Sequence, residues 1–107
     1  MINGKTITLS GREFVAPPVN WATFKQFKVE FAQIQQGTWT PDFDVMGSII
    51  LQALQRNYPE LTEAELGKLL DIANIGIAFS AVMNASGFED RAPGEAPAAV
   101  SPSTGTN

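Results

Sequence analysis

One segment of this chain, from Arg56 to Leu66, requires that one helix ends and another begins within a few residues. Pro59 disfavours the helical conformation at the residue before it, so a helix that reaches Tyr58 has to end there. Thr62 and Glu65 then have the spacing of a capping box, with the threonine at the N-cap and the glutamate at N3. The segment therefore predicts a corner between two helices, and its residue types alone predict no chemistry.

The first part of the chain predicts a β-hairpin. Apolar and polar residues alternate from Lys5 to Ala16, and Ser10-Gly11 interrupts the alternation. Pro17-Pro18 ends the second strand, because proline donates no hydrogen bond to a strand ladder. Two strands alone are only marginally stable, so we expect the hairpin to lie against helices.

A first helix is predicted from an N-cap at Asn20 to about Gln36, where Gly37 supplies a left-handed C-terminal cap. At 100° per residue, four large apolar side chains of this helix fall within an arc of about 80°, and Trp21 lies to one side of it. The four side chains are Phe24, Phe27, Phe31 and Ile34. This narrow stripe predicts that the helix buries a single face.

A second helix is predicted to begin with Thr40 as N-cap and Pro41 at N1. Its apolar positions cover about half of the circumference, which is more than a one-sided surface helix requires. They are Phe43, Val45, Met46, Ile49, Ile50, Ala53 and Leu54. We therefore expect this helix to be central, with Ile50 and Leu54 in the middle of the core.

Two more helices follow the corner. The third is predicted from Glu63 to about Ala73, and the fourth from near Asn74 to Ser86, with Gly87 as its cap. After Phe88 the composition changes to Pro, Ala, Gly, Ser, Thr and acidic residues, which cannot bury enough apolar surface to offset the entropy of ordering. The fold class is therefore mainly α. We predict a single domain over residues 1–88, with about four helices and an N-terminal hairpin, and a disordered tail over residues 89–107.

The composition argues against several classes of catalytic, metal and binding site. The chain has no cysteine and no histidine, which removes thiol nucleophiles and the commonest zinc ligands. Its formal net charge is −4 and its few basic residues are scattered, so nucleic acid is not an expected partner. No apolar run approaches the roughly 18 residues of a membrane span. We predict a non-enzymatic cytoplasmic protein with no catalytic residue, cofactor or metal site.

The surplus of apolar helix surface predicts a binding protein. The apolar side of the fourth helix spans about 200° of its circumference, so part of it is expected to face a partner or a second copy of the chain. The residues predicted to contact the partner are Phe79, Val82 and Met83. The alternative is that all three are ordinary core residues. Trp21 and Trp39 flank the first helix, where each either packs inside the domain or meets a partner.

Three parts of the sequence together resemble the tail assembly chaperones of long-tailed bacteriophages. They are Arg56-Asn57-Tyr58-Pro59, then Leu61-Thr62 followed by Glu65-Leu66, and then an aliphatic helix that closes in Ser86-Gly87-Phe88. By layout, the resemblance covers most of residues 4–88. The aromatic stripe of the first helix contributes nothing to it.

The resemblance implies a function. Proteins of this family bind the long, apolar, helical tape measure protein in the host cytoplasm and keep it soluble until tail tube subunits polymerise around it. They are absent from the finished tail, and many also exist in a longer form made by ribosomal frameshifting. The tape measure protein is thus the expected partner, with the tail tube protein and a second copy of the chain as further candidates.

Two other functions stay open from the sequence. A small structural or adaptor subunit retained in the phage tail would show the same size and the same apolar surplus. An enzyme would need an acid such as Asp42 or Glu63 as its catalytic group, and helix capping explains these acids equally well.

Overall fold

The computed structural model describes residues 1–88, which form two antiparallel strands and five helices. In chain order these are β1 (Lys5–Leu9), β2 (Arg12–Ala16), α1 (Trp21–Gln26), α2 (Lys28–Gln36), α3 (Phe43–Gln55), α4 (Glu63–Leu69) and α5 (Ile75–Ala85). The prediction of helices preceded by a hairpin is confirmed for these residues, whereas the count of four helices is wrong. The predicted tail, residues 89–107, lies outside the described part of the chain.

The hairpin turns at the predicted dipeptide. Ser10 and Gly11 both have positive φ, 49° and 83°, which is the signature of a two-residue type I′ turn. The turn places Leu9 opposite Arg12 and fixes the register of the two strands. One face of the hairpin is consequently apolar and buried against the helices; its buried residues are Ile7, Leu9, Phe14 and Ala16.

The helix corner after α3 holds the outer edge of β2. The Val15 N–H donates to the Tyr58 hydroxyl at 2.8 Å, and the Val15 carbonyl accepts from Asn57 Nδ2 at 3.1 Å. Asn57 also exchanges two hydrogen bonds with the backbone of Ile2, of 2.7 and 2.8 Å. The corner therefore joins the hairpin to the helices in addition to turning the chain.

The prediction of one continuous first helix from Asn20 to Gln36 is wrong, because the chain bends at Phe27 and forms α1 and α2. Phe27 leaves the helical region with φ −114° and ψ 32°. The bend separates two anchors: the Thr23 hydroxyl donates to Gln52 Oε1 of α3 at 2.8 Å, and Phe31 of α2 is buried in the core. Tertiary contacts thus override local helix propensity at a position with no glycine or proline.

Four of the predicted helix caps are confirmed. The Asn20 side chain accepts a hydrogen bond from the Thr23 N–H at 2.9 Å, and Thr62 forms the reciprocal capping box with Glu65. Gly37 and Gly87 have left-handed backbones, with φ of 76° and 96°, at the ends of α2 and α5. Each of these caps depends on only a few neighbouring residues, and all four are present in the structure.

The predicted N-cap of α3 is wrong by two residues. Asp42, and not Thr40, caps the helix, since its side chain accepts from the N–H groups of Asp44 and Val45 at 2.9 and 3.2 Å. A carboxylate at this position also interacts favourably with the positive end of the helix dipole, which a threonine hydroxyl does not.

The third predicted helix is shorter than expected. It ends at Leu69 instead of about Ala73, because Leu70 has an extended backbone with φ −82° and ψ 141°. Asp71 and Asn74 then exchange two side-chain-to-backbone hydrogen bonds of 2.7 Å each, which form a separate turn. The segment between Leu69 and Ile75 is therefore a connection between two helices and not a kink within one.

The core lies between α3, α5 and the buried face of the hairpin. α5 packs against α3 and β1, and α3 also contacts β2. Ile50 and Leu54 of α3 have no exposed surface, so the prediction that α3 is central is confirmed. Other residues of this core are Ile7, Leu9, Phe14, Phe31, Ile49, Ala53, Ala78, Phe79, Val82 and Met83.

Candidate partner-binding groove

Three of the five residues predicted to bind a partner are internal. Phe79, Val82 and Met83 are only 8%, 0% and 6% exposed. The reason is that α5 has a neighbour on two sides, α3 and the hairpin, which together cover most of its broad apolar surface. A partner that docks on this folded chain cannot reach these side chains, so the prediction that they form an exposed binding surface is wrong.

The two tryptophans have different surroundings. Trp21 is 71% exposed and stacks on Phe24, with ring centroids 5.8 Å apart. Trp39 is half-buried and stacks on Phe79, with ring centroids 5.5 Å apart. Trp21 is thus available to a partner, whereas Trp39 mainly covers the core beside α5.

An open apolar groove lies between α3, α4 and the beginning of α5. Its volume is about 250 Å³. The apolar residues that line it are Phe43 and Leu51 of α3, Leu66 of α4, Leu70 and Ile75, and the groove also contains Gly47 and Gly67. We call this depression the α3–α4 groove.

The groove exists because α4 is short and two glycines face open space. Leu66 is the one buried residue of α4, and the half-buried Leu69 at the end of the helix also packs against the core. A Cβ added at Gly47 or Gly67 would meet no atom within 4 Å. The groove is therefore open at these two glycines, and a side chain of a partner can contact the backbone there.

The charge of the groove is negative. Asp44 and Glu63 line it, together with the polar side chains of Ser48 and Gln52. No lysine or arginine belongs to the lining formed by residues 1–88. Both carboxylates lie in the first turn of a helix, where the dipole favours them, and both attract cationic groups to the groove.

Sequence reasoning missed this groove. The apolar pattern of the helix includes Phe43 without saying whether it is buried, and the structure leaves it 53% exposed at the mouth of the groove. The signal that could have found it is the spacing of Phe43, Gly47 and Leu51, which places all three on one face of α3. That face borders the core side of α3, because Leu51 is half-buried and packs against the core.

The described residues were also compared with the requirements of a metal site and of a membrane span. Within residues 1–88, no group of three or more His, Cys, Asp or Glu could hold a metal ion. No helix in this part of the chain is long and apolar enough to cross a membrane. No family model, characterised protein or solved structure gives a significant match to the sequence.

Proposed function

We propose that this protein is a non-enzymatic tail assembly chaperone of a long-tailed bacteriophage. It binds the tape measure protein in the host cytoplasm and keeps it soluble until tail tube subunits assemble around it. The resemblance carried by the Arg56–Pro59 corner and the Ser86–Phe88 ending supports the family. The observation that carries the function is the α3–α4 groove, an apolar surface that the described part of the chain leaves uncovered.

The shape of the groove suits a helix better than a small molecule. Its volume of about 250 Å³ is below the roughly 300–1,000 Å³ of typical small-molecule pockets, and it is open to solvent. An amphipathic helix binds such a groove by inserting a row of apolar side chains spaced three or four residues apart. The open positions at Gly47 and Gly67 accept side chains of different shapes, as a chaperone for a long and varied helix requires.

The negative lining indicates which helices bind best. Asp44 and Glu63 flank the apolar floor, so a lysine or arginine beside the apolar row of the partner is attracted to them. Such charges raise the rate of association and fix the orientation of the helix more than they raise the affinity. We therefore expect the bound segments of the tape measure protein to be apolar on one face and basic at its border.

Co-expression with the tape measure protein of the same phage tests the proposal. We expect the tape measure protein to be insoluble alone, soluble with this chain, and recovered with it during purification. Mass spectrometry of purified virions is the second measurement, and we expect this chain to be absent. If the protein is present in virions at a fixed stoichiometry, it is a structural or adaptor subunit of the tail instead. An insoluble tape measure protein in both cultures would contradict the chaperone function.

A further inference from the structure

One asparagine of this chain, Asn3, is followed by a glycine. The backbone nitrogen of the residue after an asparagine can attack the side-chain carbon Cγ, which closes a five-membered ring. Glycine has no Cβ beside that nitrogen, so it hinders the approach least. The Asn3-Gly4 step is therefore where the sequence most favours this reaction.

The structure leaves the reacting groups of this step unengaged. Asn3 and Gly4 are both exposed, and within residues 1–88 the Asn3 side-chain amide forms no hydrogen bond. The Gly4 N–H has to lose its proton before its nitrogen can attack, and it has no acceptor among the same residues. The attacking nitrogen and the carbon that it attacks are thus both accessible to water and to hydroxide.

The other asparagines in the described part of the chain are held in place. Asn20 caps α1 through its side chain, and Asn57 and Asn74 each form several side-chain hydrogen bonds. Asn84 lies within α5, where the N–H of the next residue belongs to the hydrogen-bond ladder of the helix. The structure therefore distinguishes Asn3 from these four residues.

The fold also requires a glycine at position 4. A Cβ at this position would meet the Ala16 carbonyl and the Cα of Pro17, because the chain passes close to the end of β2. Any larger residue, which would slow the attack on Asn3, is excluded by this contact. The residue that makes the Asn3 amide reactive is thus one that the packing demands.

We propose that Asn3-Gly4 is a site of spontaneous deamidation. Hydroxide removes the Gly4 amide proton, the nitrogen attacks Asn3 Cγ, and the side-chain nitrogen takes up a proton from water and leaves as ammonia. Water then opens the succinimide ring at one of its two carbonyls. Cleavage between Gly4 N and Asn3 Cγ gives aspartate, and cleavage of the original peptide bond gives isoaspartate, whose backbone runs through Cβ and Cγ. The net reaction consumes only water, and nothing is oxidised or reduced.

Isoaspartate lengthens the backbone by one methylene between two anchored residues. Ile2 exchanges hydrogen bonds of 2.7 and 2.8 Å with Asn57, and Lys5 pairs with Ala16 in the hairpin. The bonds at Ile2 are the ones that break, because Lys5 belongs to a continuous ladder of pairs. Aspartate keeps the original backbone and leaves Ile2 in place. This segment does not line the α3–α4 groove, so the proposal is independent of the proposed function.

Incubation of the full-length protein at neutral and at mildly alkaline pH, followed by peptide mass spectrometry, tests the reaction. A synthetic peptide of residues 1–10 is the reference. Asn3→Gln is the control variant, because glutamine has to close a six-membered ring, which is slower. We expect Asn3 to convert before every other asparagine of residues 1–88, at a rate close to that of the peptide and higher at alkaline pH, and Asn3→Gln to stay unconverted. A folded chain that keeps its Asn3 amide while the peptide converts would overturn the proposal.

The urea midpoint of the deamidated protein tests the loss of the Ile2 contacts. Asn3→Asp is the matched control, because it carries the added charge on an unchanged backbone. We expect the isoaspartate form, separated by chromatography and identified with isoaspartate methyltransferase, to have a lower midpoint than Asn3→Asp. Equal midpoints of these two proteins would contradict the release of Ile2. Aspartate as the sole product would overturn the proposed opening of the ring at the peptide bond.

Discussion

The Val15 backbone N–H donates a hydrogen bond to the Tyr58 hydroxyl across 2.8 Å and 43 residues of sequence. The Tyr58 ring also packs edge-on against Phe14, with centroids 5.1 Å apart and an interplanar angle of 87°. Next to it, Arg56 Nη1 donates to the Pro18 carbonyl at 2.6 Å. The sequence predicts only that a helix ends at this corner. In the structure, the side chains of Arg56 and Tyr58 also hold the hairpin in place.

Tyr58→Phe isolates the hydrogen bond from the packing. The phenylalanine ring keeps the edge-on contact with Phe14 and leaves the Val15 N–H without its acceptor. We expect the free energy of unfolding, measured by urea denaturation, to fall by about 1 kcal/mol. Amide exchange at Val15 should become faster in the same variant. An unchanged stability with unchanged exchange would show that the bond is absent in solution.

Asn57→Asp tests the neighbouring side chain with almost no change in shape. The aspartate keeps an acceptor for the Ile2 N–H but loses the donors to the Ile2 and Val15 carbonyls, and it places a negative charge beside both oxygens. We expect a loss of about 1–3 kcal/mol in the free energy of unfolding. Asn3→Asp adds the same charge at a nearby exposed position and should change stability by less than about 0.5 kcal/mol. Equal effects of the two substitutions would contradict the structural role of Asn57.

The sequence could predict those features of the fold that depend on neighbouring residues. The Ser10-Gly11 turn, the capping box of Thr62 and Glu65, and the left-handed Gly87 each require only a few adjacent positions. The central place of α3 also follows from its own apolar pattern, since so broad a surface has to contact more than one neighbour.

The remaining features depend on contacts between distant residues, which no local pattern contains. The bend at Phe27 follows from separate anchors on α1 and α2, and the burial of Val82 follows from α5 having α3 and the hairpin on its two sides. Periodicity shows the apolar surplus of α3 and α5, but it cannot say which part of a broad surface stays uncovered. The groove at Gly47 depends on the position of α4, which no pattern within α3 contains.

Leu54→Ala and Ile50→Ala test whether α3 is the centre of the core. Both side chains have no exposed surface, and deletion of such a side chain leaves a cavity in addition to the lost burial. We expect each substitution to cost about 2–5 kcal/mol in the free energy of unfolding. Val29→Ala removes a similar aliphatic side chain that is 63% exposed, and its cost should stay below about 0.5 kcal/mol. A core substitution as mild as the surface one would refute the assigned packing.

Gly67→Ala and Gly37→Ala should have opposite effects on stability. Gly67 lies inside α4 with open space around an added Cβ, so alanine should stabilise the protein by about 0.5–1 kcal/mol. Gly37 has φ 76°, a conformation that strains any residue with a Cβ, and alanine there should lower the stability by about 1 kcal/mol. Thermal unfolding of both variants beside the wild type measures the difference. A shift in the same direction would be inconsistent with the backbone described for one of them.

Variants of the α3–α4 groove test whether the tape measure protein binds there. Gly67→Trp fills the α3–α4 groove, Gly67→Ala leaves most of it open, and Ala64→Trp places the same bulk on an exposed position of α4 outside the groove lining. Circular dichroism first establishes that all three variants are folded. We expect that Gly67→Trp no longer co-purifies with the tape measure protein, while the other two variants bind as the wild type does. Unchanged affinity of a folded Gly67→Trp variant would show that the groove is not the binding site.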